Sequence, residues 1–284
     1  MLPWTGLFTM IIGLGLGESG ITDMSENNGA GARNILITGA GGGLGRDLSL
    51  YFERRGHKLL LLDSNADSLA ETVRQLASPA SCLLSEVVDI TSAAQVRAFV
   101  DRCGDIRLEV LVNNAGTQHV VSIEDLPVEK WDLLLDVMLK GPFLLSQAVL
   151  PRMRANEFGR IVIIGSIHSL VASPFKSAYV AAKHGLLGLA KVAALETASV
   201  DITVNTICPS YIKTPLVDAQ VKAQAELHGI AETEVITRIM LEPMPKKVFI
   251  TPDEVAAIIE FLMTHEARNI TGQTIVIDGG WTSR

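Results

Sequence analysis

A tyrosine stands four residues before a lysine in this chain, an arrangement that permits acid–base chemistry. Tyr179 and Lys183 would share one face of a helix, and Ser166 ends an apolar run thirteen positions before the tyrosine. A lysine ammonium about 4 Å from a phenol, at an effective dielectric of about 20, favours the phenolate by roughly 4 kcal/mol. Such a phenol beside a serine hydroxyl suits proton transfer to or from an alcohol or a ketone. Taken alone, the pair is more typical of an ordinary, partly exposed helix face.

A glycine-rich turn gives this pair a more specific context. The apolar residues 35–38 lead into the turn 39–45, and a helix-like segment begins at Arg46. Glycines let the backbone approach a pyrophosphate closely, and the following helix N-terminus offers free amides. Asp63 ends the next apolar run, where a carboxylate that binds the adenosine ribose belongs. This carboxylate favours NAD, because it would repel the 2′-phosphate of NADP; Arg46 either softens that repulsion or faces solvent.

The composition fits a globular protein that keeps its cysteines reduced. The chain has 284 residues, of which 48% are hydrophobic, so it can bury a core as one domain. A net charge of -7 argues against a nucleic-acid partner. Cys82, Cys103 and Cys208 have no paired spacing, which indicates a cytoplasmic location. The histidines show no metal-ligand clustering, so we expect no metal.

The N-terminus has a different composition from the rest of the chain. Residues 2–16 are nearly all apolar or glycine, and no basic residue precedes Arg33. The apolar run is shorter than the roughly 20 residues that span a bilayer, and it lacks the positive segment of a signal peptide. We therefore interpret residues 1–33 as an extension that is either flexible or membrane-associating, with Met24 as an alternative natural start. For the rest of the chain we expect no membrane partner.

From Asn34 onward, apolar runs of strand length alternate with amphipathic segments. The predicted strands are 34–38, 58–62, 83–88, 109–113, 160–165, 203–208 and 274–277, and the predicted helices are 45–55, 66–76, 92–103, 128–154, 177–198 and 252–264. Apolar strands separated by helices indicate a parallel sheet covered on both faces. The sequence therefore predicts an α/β fold over residues 34–284, with a doubly wound, Rossmann-type, mostly parallel seven-stranded sheet. Residues 209–250 have no predicted strand and follow a strand's carboxyl end, where we expect a substrate lid.

In order and spacing, these motifs resemble those of the short-chain dehydrogenase/reductase family over about residues 34–284. The cofactor turn at 38–45, Asp89 after the third strand, and the sequence Asn-Asn-Ala-Gly at 113–116 all match. The resemblance implies a homotetramer. It also implies a set of cofactor-binding residues, namely Thr38, Gly39, Gly43, Leu44, Gly45, Asp63, Asp89, Asn113, Ala115, Gly116, Tyr179, Lys183 and Pro209.

The same resemblance implies catalytic roles. Tyr179 would be the general acid–base, and Ser166 would position the substrate oxygen. Lys183 would bind the nicotinamide ribose and lower the pKa of the tyrosine. Two residues depart from the family pattern. Met138 stands where most members carry an asparagine that holds a water linking the lysine to solvent. Ser210 also replaces a glycine that commonly follows Pro209.

Within the family, the chain resembles the 3-hydroxybutyrate dehydrogenases at residues 116–120, 166–168, 179–188, 208–211, 214–217 and 278–281. In those enzymes the substrate carboxylate is held at the positions of Gln118, His168, Lys176 and Gln220. A cation with neutral donors is what a small carboxylate needs once water is excluded. The resemblance implies an oxidoreductase that transfers a hydride between NAD and a small 3-hydroxy acid, such as 3-hydroxybutyrate. Two alternatives stay open, namely a sugar, polyol or 3-oxoacyl thioester as substrate, and a nucleotide-binding protein with a degenerate site.

Overall fold

The computed structural model describes residues 31–283, apart from seven side chains within one helix: Pro215, Leu216, Ala219, Gln220, Ala223, Leu227 and His228. The strands are β1 (Asn34–Thr38), β2 (Lys58–Asp63), β3 (Cys82–Val87), β4 (Val110–Asn113), β5 (Phe158–Ile164), β6 (Asp201–Pro209) and β7 (Thr274–Ile277). The α-helices are α1 (Gly43–Arg54), α2 (Ala66–Gln75), α3 (Ala93–Arg102), α4 (Val128–Leu135), α5 (Gly141–Ala155), α6 (Ser177–Glu196), α7 (Pro215–His228), α8 (Glu232–Val235) and α9 (Pro252–Leu262). The expected extension at residues 1–33 lies outside this description up to residue 30.

The seven strands form one sheet in the order β3-β2-β1-β4-β5-β6-β7, and every neighbouring pair is parallel. The predicted doubly wound, seven-stranded α/β fold is confirmed. The chain order reverses between β1 and β4, which opens a crevice at the carboxyl ends of these strands. Ligands of open α/β sheets bind in such a crevice, so the fold directs attention to this edge.

Two hydrophobic cores cover the two faces of the sheet. In β2, Leu59 and Leu61 face the core built with α1 and α9, while Leu60 and Leu62 face the core built with α3, α5 and α6. Side chains alternate between the faces of a strand, so a strand with a core on each side is apolar throughout. This burial explains why the strands were visible in the sequence as uninterrupted apolar runs.

The helix predicted over residues 128–154 contains a wide turn that the sequence analysis did not anticipate. A π-turn, Asp136–Lys140, separates α4 from α5. Pro142 follows it, and in a regular helix its ring would clash with the carbonyl group of Met138. The whole segment, Val128–Ala155, is the one helix among residues 31–283 that is long and apolar enough to cross a membrane by length and composition. Core helices pass the same test, and Leu145 and Val149 of this helix pack in the core beneath the sheet.

The segment after β6 is mainly helical. It contains α7, α8 and a second π-turn, Ile236–Met240, and its two ends are joined by a bridge between Ile212 and Ile250. The backbone N–H of Ile250 also donates to the carbonyl of Tyr211 at 2.9 Å. The base of the segment is therefore held to itself, and its function as a substrate lid stays a prediction.

Candidate active site

A cavity of about 490 Å³ lies at the carboxyl ends of the strands. It brings together most of the residues that the sequence analysis singled out: Gly39, Gly43, Leu44, Asp63, Ala115, Gly116, Gln118, Ser166, His168, Lys176, Tyr179, Lys183 and Pro209. Four others, Thr38, Gly45, Asp89 and Asn113, are not among its lining residues. Gln220 lies in α7, and its side chain is outside the described part of the structure.

Strand β5 and helix α6 position the three expected catalytic residues. Ser166 follows β5 and caps a short 3-10 helix, Ile167–Ser169, so that its Oγ accepts the N–H of His168 at 3.1 Å. One turn apart on α6, Tyr179 and Lys183 face the same side, and Lys183 Nζ lies 5.6 Å from the centre of the tyrosine ring. Lys183 Nζ also donates to the carbonyl of Ile164 at 2.7 Å. The lysine is thereby fixed beneath the serine and beside the tyrosine.

The electrostatics of this group differ from the sequence-based expectation. Burial raises the pKa of Tyr179, and a hydrogen bond with Ser166 lowers it by less. The expected lowering of the tyrosine pKa by a nearby lysine is therefore wrong for the site as these residues form it. Burial also lowers the pKa of Lys183 to about 8, so this lysine is mostly charged at pH 7. The tyrosine hydroxyl is protonated at neutral pH, as a proton donor must be.

A second group of polar side chains lies beside Tyr179. Lys176 Nζ is 3.4 Å from His168 Nε2. Burial and the neighbouring lysine lower the pKa of His168 to about 4, and burial lowers the pKa of Lys176. The histidine is therefore neutral at pH 7 and leaves Lys176 as the cation of the pair. Gln118 also lines the cavity; its Oε1 accepts the N–H of His119 at 3.0 Å, so its amide NH₂ is available as a donor.

The glycine-rich turn fits a dinucleotide. A Cβ on Gly45 would lie 2.1 Å from the carbonyl oxygen of Gly39, and one on Gly41 would lie 2.8 Å from Asp63 Oδ2. By contrast, a Cβ on Gly42 or Gly43 would meet nothing within 4 Å. The turn is thus packed on its inner side and open on its outer side, where it leads into the N-terminus of α1. Free amides at such a helix end favour a phosphate group.

Two residues hold this turn against β4. Thr38 Oγ1 accepts the N–H groups of Asn114 and Ala115 at 3.0 and 3.1 Å, and Asn114 Nδ2 donates to the carbonyl of Thr38 at 2.9 Å. Asn113, which the family resemblance places among the cofactor-binding residues, does not take part in these contacts. That side chain is buried, and its amide atoms have no partner among the described residues. Asn114 is therefore the asparagine that ties the cofactor turn to the sheet.

Asp63 lies in the cavity wall next to the turn. Its Oδ2 accepts the N–H of Gly41 and its Oδ1 accepts the N–H of Asn65, both at 2.8 Å. Arg46 does not face solvent: it donates to Thr72 Oγ1 at 3.0 Å and to the carbonyls of Ser68 and Gly41. These acceptors are neutral, so Arg46 links α1 to α2.

Three residues with less obvious signals complete the site. Met138, in the π-turn, is 1% exposed, and its Sδ lies 3.7 Å from where a Cβ on Gly116 would be. Tyr211 and Trp281 stack at 6.1 Å, and Trp281 meets the His168 ring edge-on at 6.2 Å. The sequence offered Tyr211 and Trp281 only as members of longer motifs, whereas Met138 stood out as a departure from the family pattern. Asp89 is exposed and its Oδ1 accepts the N–H and hydroxyl of Thr91. Among residues 31–283 no cluster of His, Cys, Asp or Glu could hold a metal ion.

Comparisons with known proteins agree with this arrangement. Residues 39–282 match a family model described as enoyl-(acyl carrier protein) reductase. A D-beta-hydroxybutyrate dehydrogenase of Rhizobium meliloti is 41% identical over 258 residues, which cover 89% of this chain and 99% of the relative. A D-beta-hydroxybutyrate dehydrogenase of Cupriavidus necator is 37% identical over 258 residues, which cover 89% of this chain and 98% of the relative. A crystal structure of a short chain dehydrogenase from Bacillus anthracis has a TM-score of 0.75 at 23% identity. The match covers 88% of this chain and 96% of that one, and it supports the fold.

Proposed function

This chain belongs to the short-chain dehydrogenase/reductase family of oxidoreductases, and we propose that it transfers a hydride between NAD and a small 3-hydroxy acid, with 3-hydroxybutyrate and acetoacetate as the simplest pair. The observation that carries the proposal is the partly buried cation Lys176 beside the neutral His168, next to the Ser166–Tyr179–Lys183 group. The two relatives named D-beta-hydroxybutyrate dehydrogenase, at 41% and 37% identity, support the same substrate class.

The acid group of the substrate binds at Lys176. A carboxylate there accepts a charge-assisted hydrogen bond from the ammonium, which is stronger than a neutral one. The amide NH₂ of Gln118 adds a neutral donor on the same cavity wall. His168 stays uncharged above about pH 4, so the pocket presents one cation to one anion. This match disfavours uncharged sugars and polyols.

The reacting oxygen binds between Ser166 and Tyr179. Ser166 Oγ accepts the N–H of His168, and its own hydroxyl hydrogen can turn from Tyr179 to donate to that oxygen. Tyr179 gives its proton to the oxygen of a ketone or takes a proton from an alcohol. Lys183, mostly charged at pH 7, stabilises the phenolate when the proton has left. Tyr179 and Lys183 are therefore the proton-handling pair, and Ser166 positions the oxygen.

NAD is the cofactor that these residues favour. When bound, its nicotinamide ring supplies the acceptor or donor of the hydride. The open side of the turn at Gly42 and Gly43 would hold the pyrophosphate. Asp63 would accept hydrogen bonds from the adenosine ribose hydroxyls, and its negative charge would repel a 2′-phosphate. Arg46 is held between α1 and α2 by bonds to neutral oxygens and is not among the residues that line the cavity.

A homotetramer in the cytoplasm is the state that we infer for this enzyme. Exposed apolar side chains on α5 and α6 (Phe143, Val192 and Leu195) offer surface for contacts between subunits. The three cysteines are free, which suits a reducing compartment. Sedimentation velocity of the purified protein measures the assembly size.

A single substrate screen tests the proposed activity. Purified protein with NAD is offered 3-hydroxybutyrate, butan-2-ol and sorbitol, and NADH formation is followed by absorbance. With NADH it is offered acetoacetate and an acetoacetyl thioester. The proposal expects turnover of 3-hydroxybutyrate and acetoacetate at kcat/KM values well above those of the uncharged compounds. Selective turnover of sorbitol or of the thioester would assign a different substrate class.

A further inference from the structure

The chain has three tyrosines, which differ in whether the hydroxyl group has a hydrogen-bond partner. Tyr51 donates to Glu260 Oε2 at 3.0 Å, and the hydroxyl of Tyr179 bonds to Ser166. Tyr211 lines the cavity, and its hydroxyl has no hydrogen-bond partner among the side chains and backbone that the structure describes. A partly buried tyrosine hydroxyl normally finds a partner. This hydroxyl is therefore free for a ligand in the cavity.

The position of Tyr211 is fixed from several directions. Its carbonyl accepts the N–H of Ile250, and the next residue pairs with Ile250 in a β-bridge. Its ring stacks on Trp281 at 6.1 Å, and Lys176 Nζ lies over its face, 6.0 Å from the ring centre. The hydroxyl lies in the plane of that ring, so the ammonium does not use it. A donor held in this way is placed before any ligand arrives, which favours selective binding.

The cavity therefore offers three polar points to one small molecule. The Ser166–Tyr179 pair takes the reacting oxygen, and Lys176 takes the carboxylate. Tyr211 lines the same cavity as Tyr179, with Lys176 over its ring, and it is linked to Tyr179 through the ring contacts Tyr211–Trp281, Trp281–His168 and His168–Tyr179. It therefore borders the space between the carboxylate site and the reacting oxygen. In a 3-hydroxy acid, that carbon carries one further substituent besides the acid arm and the oxygen.

The geometry points to Tyr211 as a specificity-determining residue that hydrogen-bonds a hydroxyl group on this third substituent, so that the preferred substrates are small 3,4-dihydroxy acids. This inference rests on the proposed 3-hydroxy acid activity and narrows it. A methyl group at the same place would leave the tyrosine hydroxyl without a partner in a site closed by ligand. Sites built to bond a substrate hydroxyl reject analogues that lack it far more strongly than apolar pockets reject a methylene group.

The test compares 3,4-dihydroxybutyrate with 3-hydroxybutyrate, which differ by one hydroxyl and share the carboxylate and the carbon count. The kcat/KM of each is measured with NAD for the wild type, for Tyr211→Phe and for Tyr51→Phe. The matched control removes a phenol hydroxyl at the contact between α1 and α9, away from the cavity. We expect the wild type to favour the dihydroxy acid by about tenfold or more, and Tyr211→Phe to reduce that ratio by roughly tenfold. Tyr51→Phe should keep the wild-type ratio.

Two results would overturn this inference and leave the proposed function standing. One is a wild type that turns over both acids and prefers 3-hydroxybutyrate. The other is a Tyr211→Phe variant whose ratio stays within about twofold of the wild type. If the variant does not accumulate as folded protein, the wild-type ratio alone decides. A wild type that oxidises neither acid overturns the proposed function, and this inference with it.

Discussion

Replacing Lys176 with methionine should remove the cation from the acid-binding side of the cavity while keeping a side chain of similar length. Lys176 Nζ lies 3.4 Å from His168 Nε2, and the histidine is uncharged above about pH 4. After the substitution the remaining lysine in the described lining of the cavity is Lys183, which is held at the carbonyl of Ile164. The bound carboxylate then keeps only neutral donors.

The size of the effect follows from the partial burial of the lysine. Removing one partner of a buried, hydrogen-bonded charge pair costs about 2–5 kcal/mol. Because Lys176 is only partly buried, the lower part of this range applies, about 2–3 kcal/mol. At about 1.4 kcal/mol per factor of ten, kcat/KM for 3-hydroxybutyrate should fall roughly 30- to 150-fold.

An uncharged substrate isolates the charge from the packing. Butan-2-ol has the same number of carbons and a secondary alcohol but no carboxylate, so its kcat/KM should change by less than about threefold. Lys130→Met, on the exposed surface of α4, serves as the control and should leave both substrates as in the wild type. Equal losses on both substrates in Lys176→Met would refute a role for this lysine in carboxylate binding.

Four further outcomes are expected. Tyr179→Phe should lower kcat by about 10²–10⁴-fold, while NAD affinity, measured by calorimetry, stays close to that of the wild type. A variant that keeps half of the activity would exclude Tyr179 as the acid–base group. Asp63→Ala should narrow the preference for NAD over NADP, measured as a ratio of kcat/KM. Burial lowers the pKa of Lys176 from 10.5, so this cation is lost at a lower pH than for a free lysine. KM for 3-hydroxybutyrate should therefore begin to rise with increasing pH already below pH 10.5. Met138→Asn should raise kcat or flatten its fall at low pH, and an unchanged pH–rate profile would make Met138 a packing residue only.

Much of the fold could be predicted because burial on both faces leaves a simple trace in the sequence. The leucines at 59–62 alternate between two cores, so the whole run is apolar and its strand is easy to recognise. The π-turn at Asp136–Lys140 left no such trace. The segment is apolar on both sides of the turn, and only the steric demand of Pro142 on the preceding turn indicates the irregularity. Periodicity reports which face is buried and not how many residues complete a turn.

The candidate site could be predicted in its residue types but not in its contacts. Spacing along α6 was enough to place Tyr179 with Lys183, since residues four apart share a helix face. Which of the two adjacent asparagines bonds to the cofactor turn could not be predicted, because it depends on which side chain β4 directs toward the turn. Asn114 bonds to the cofactor turn, whereas the amide of Asn113 has no partner among the described residues. That the Tyr211 hydroxyl has no partner among the described groups could not be predicted either, because it depends on which neighbours surround the hydroxyl in three dimensions.

The protonation of Tyr179 shows why burial has to be weighed against charge. The sequence places a lysine near the phenol and so predicts a lowered pKa, but burial raises the pKa of Tyr179 and lowers that of Lys183 to about 8. Both shifts express the same cause, since a dry environment disfavours the phenolate and the ammonium alike. The protonated tyrosine is therefore the stable form in this cavity, and it is the form that donates to a ketone. Alcohol oxidation instead requires the phenolate, and Met138, which packs in one cluster with Tyr179, is a thioether with no N–H or O–H group to relay the released proton.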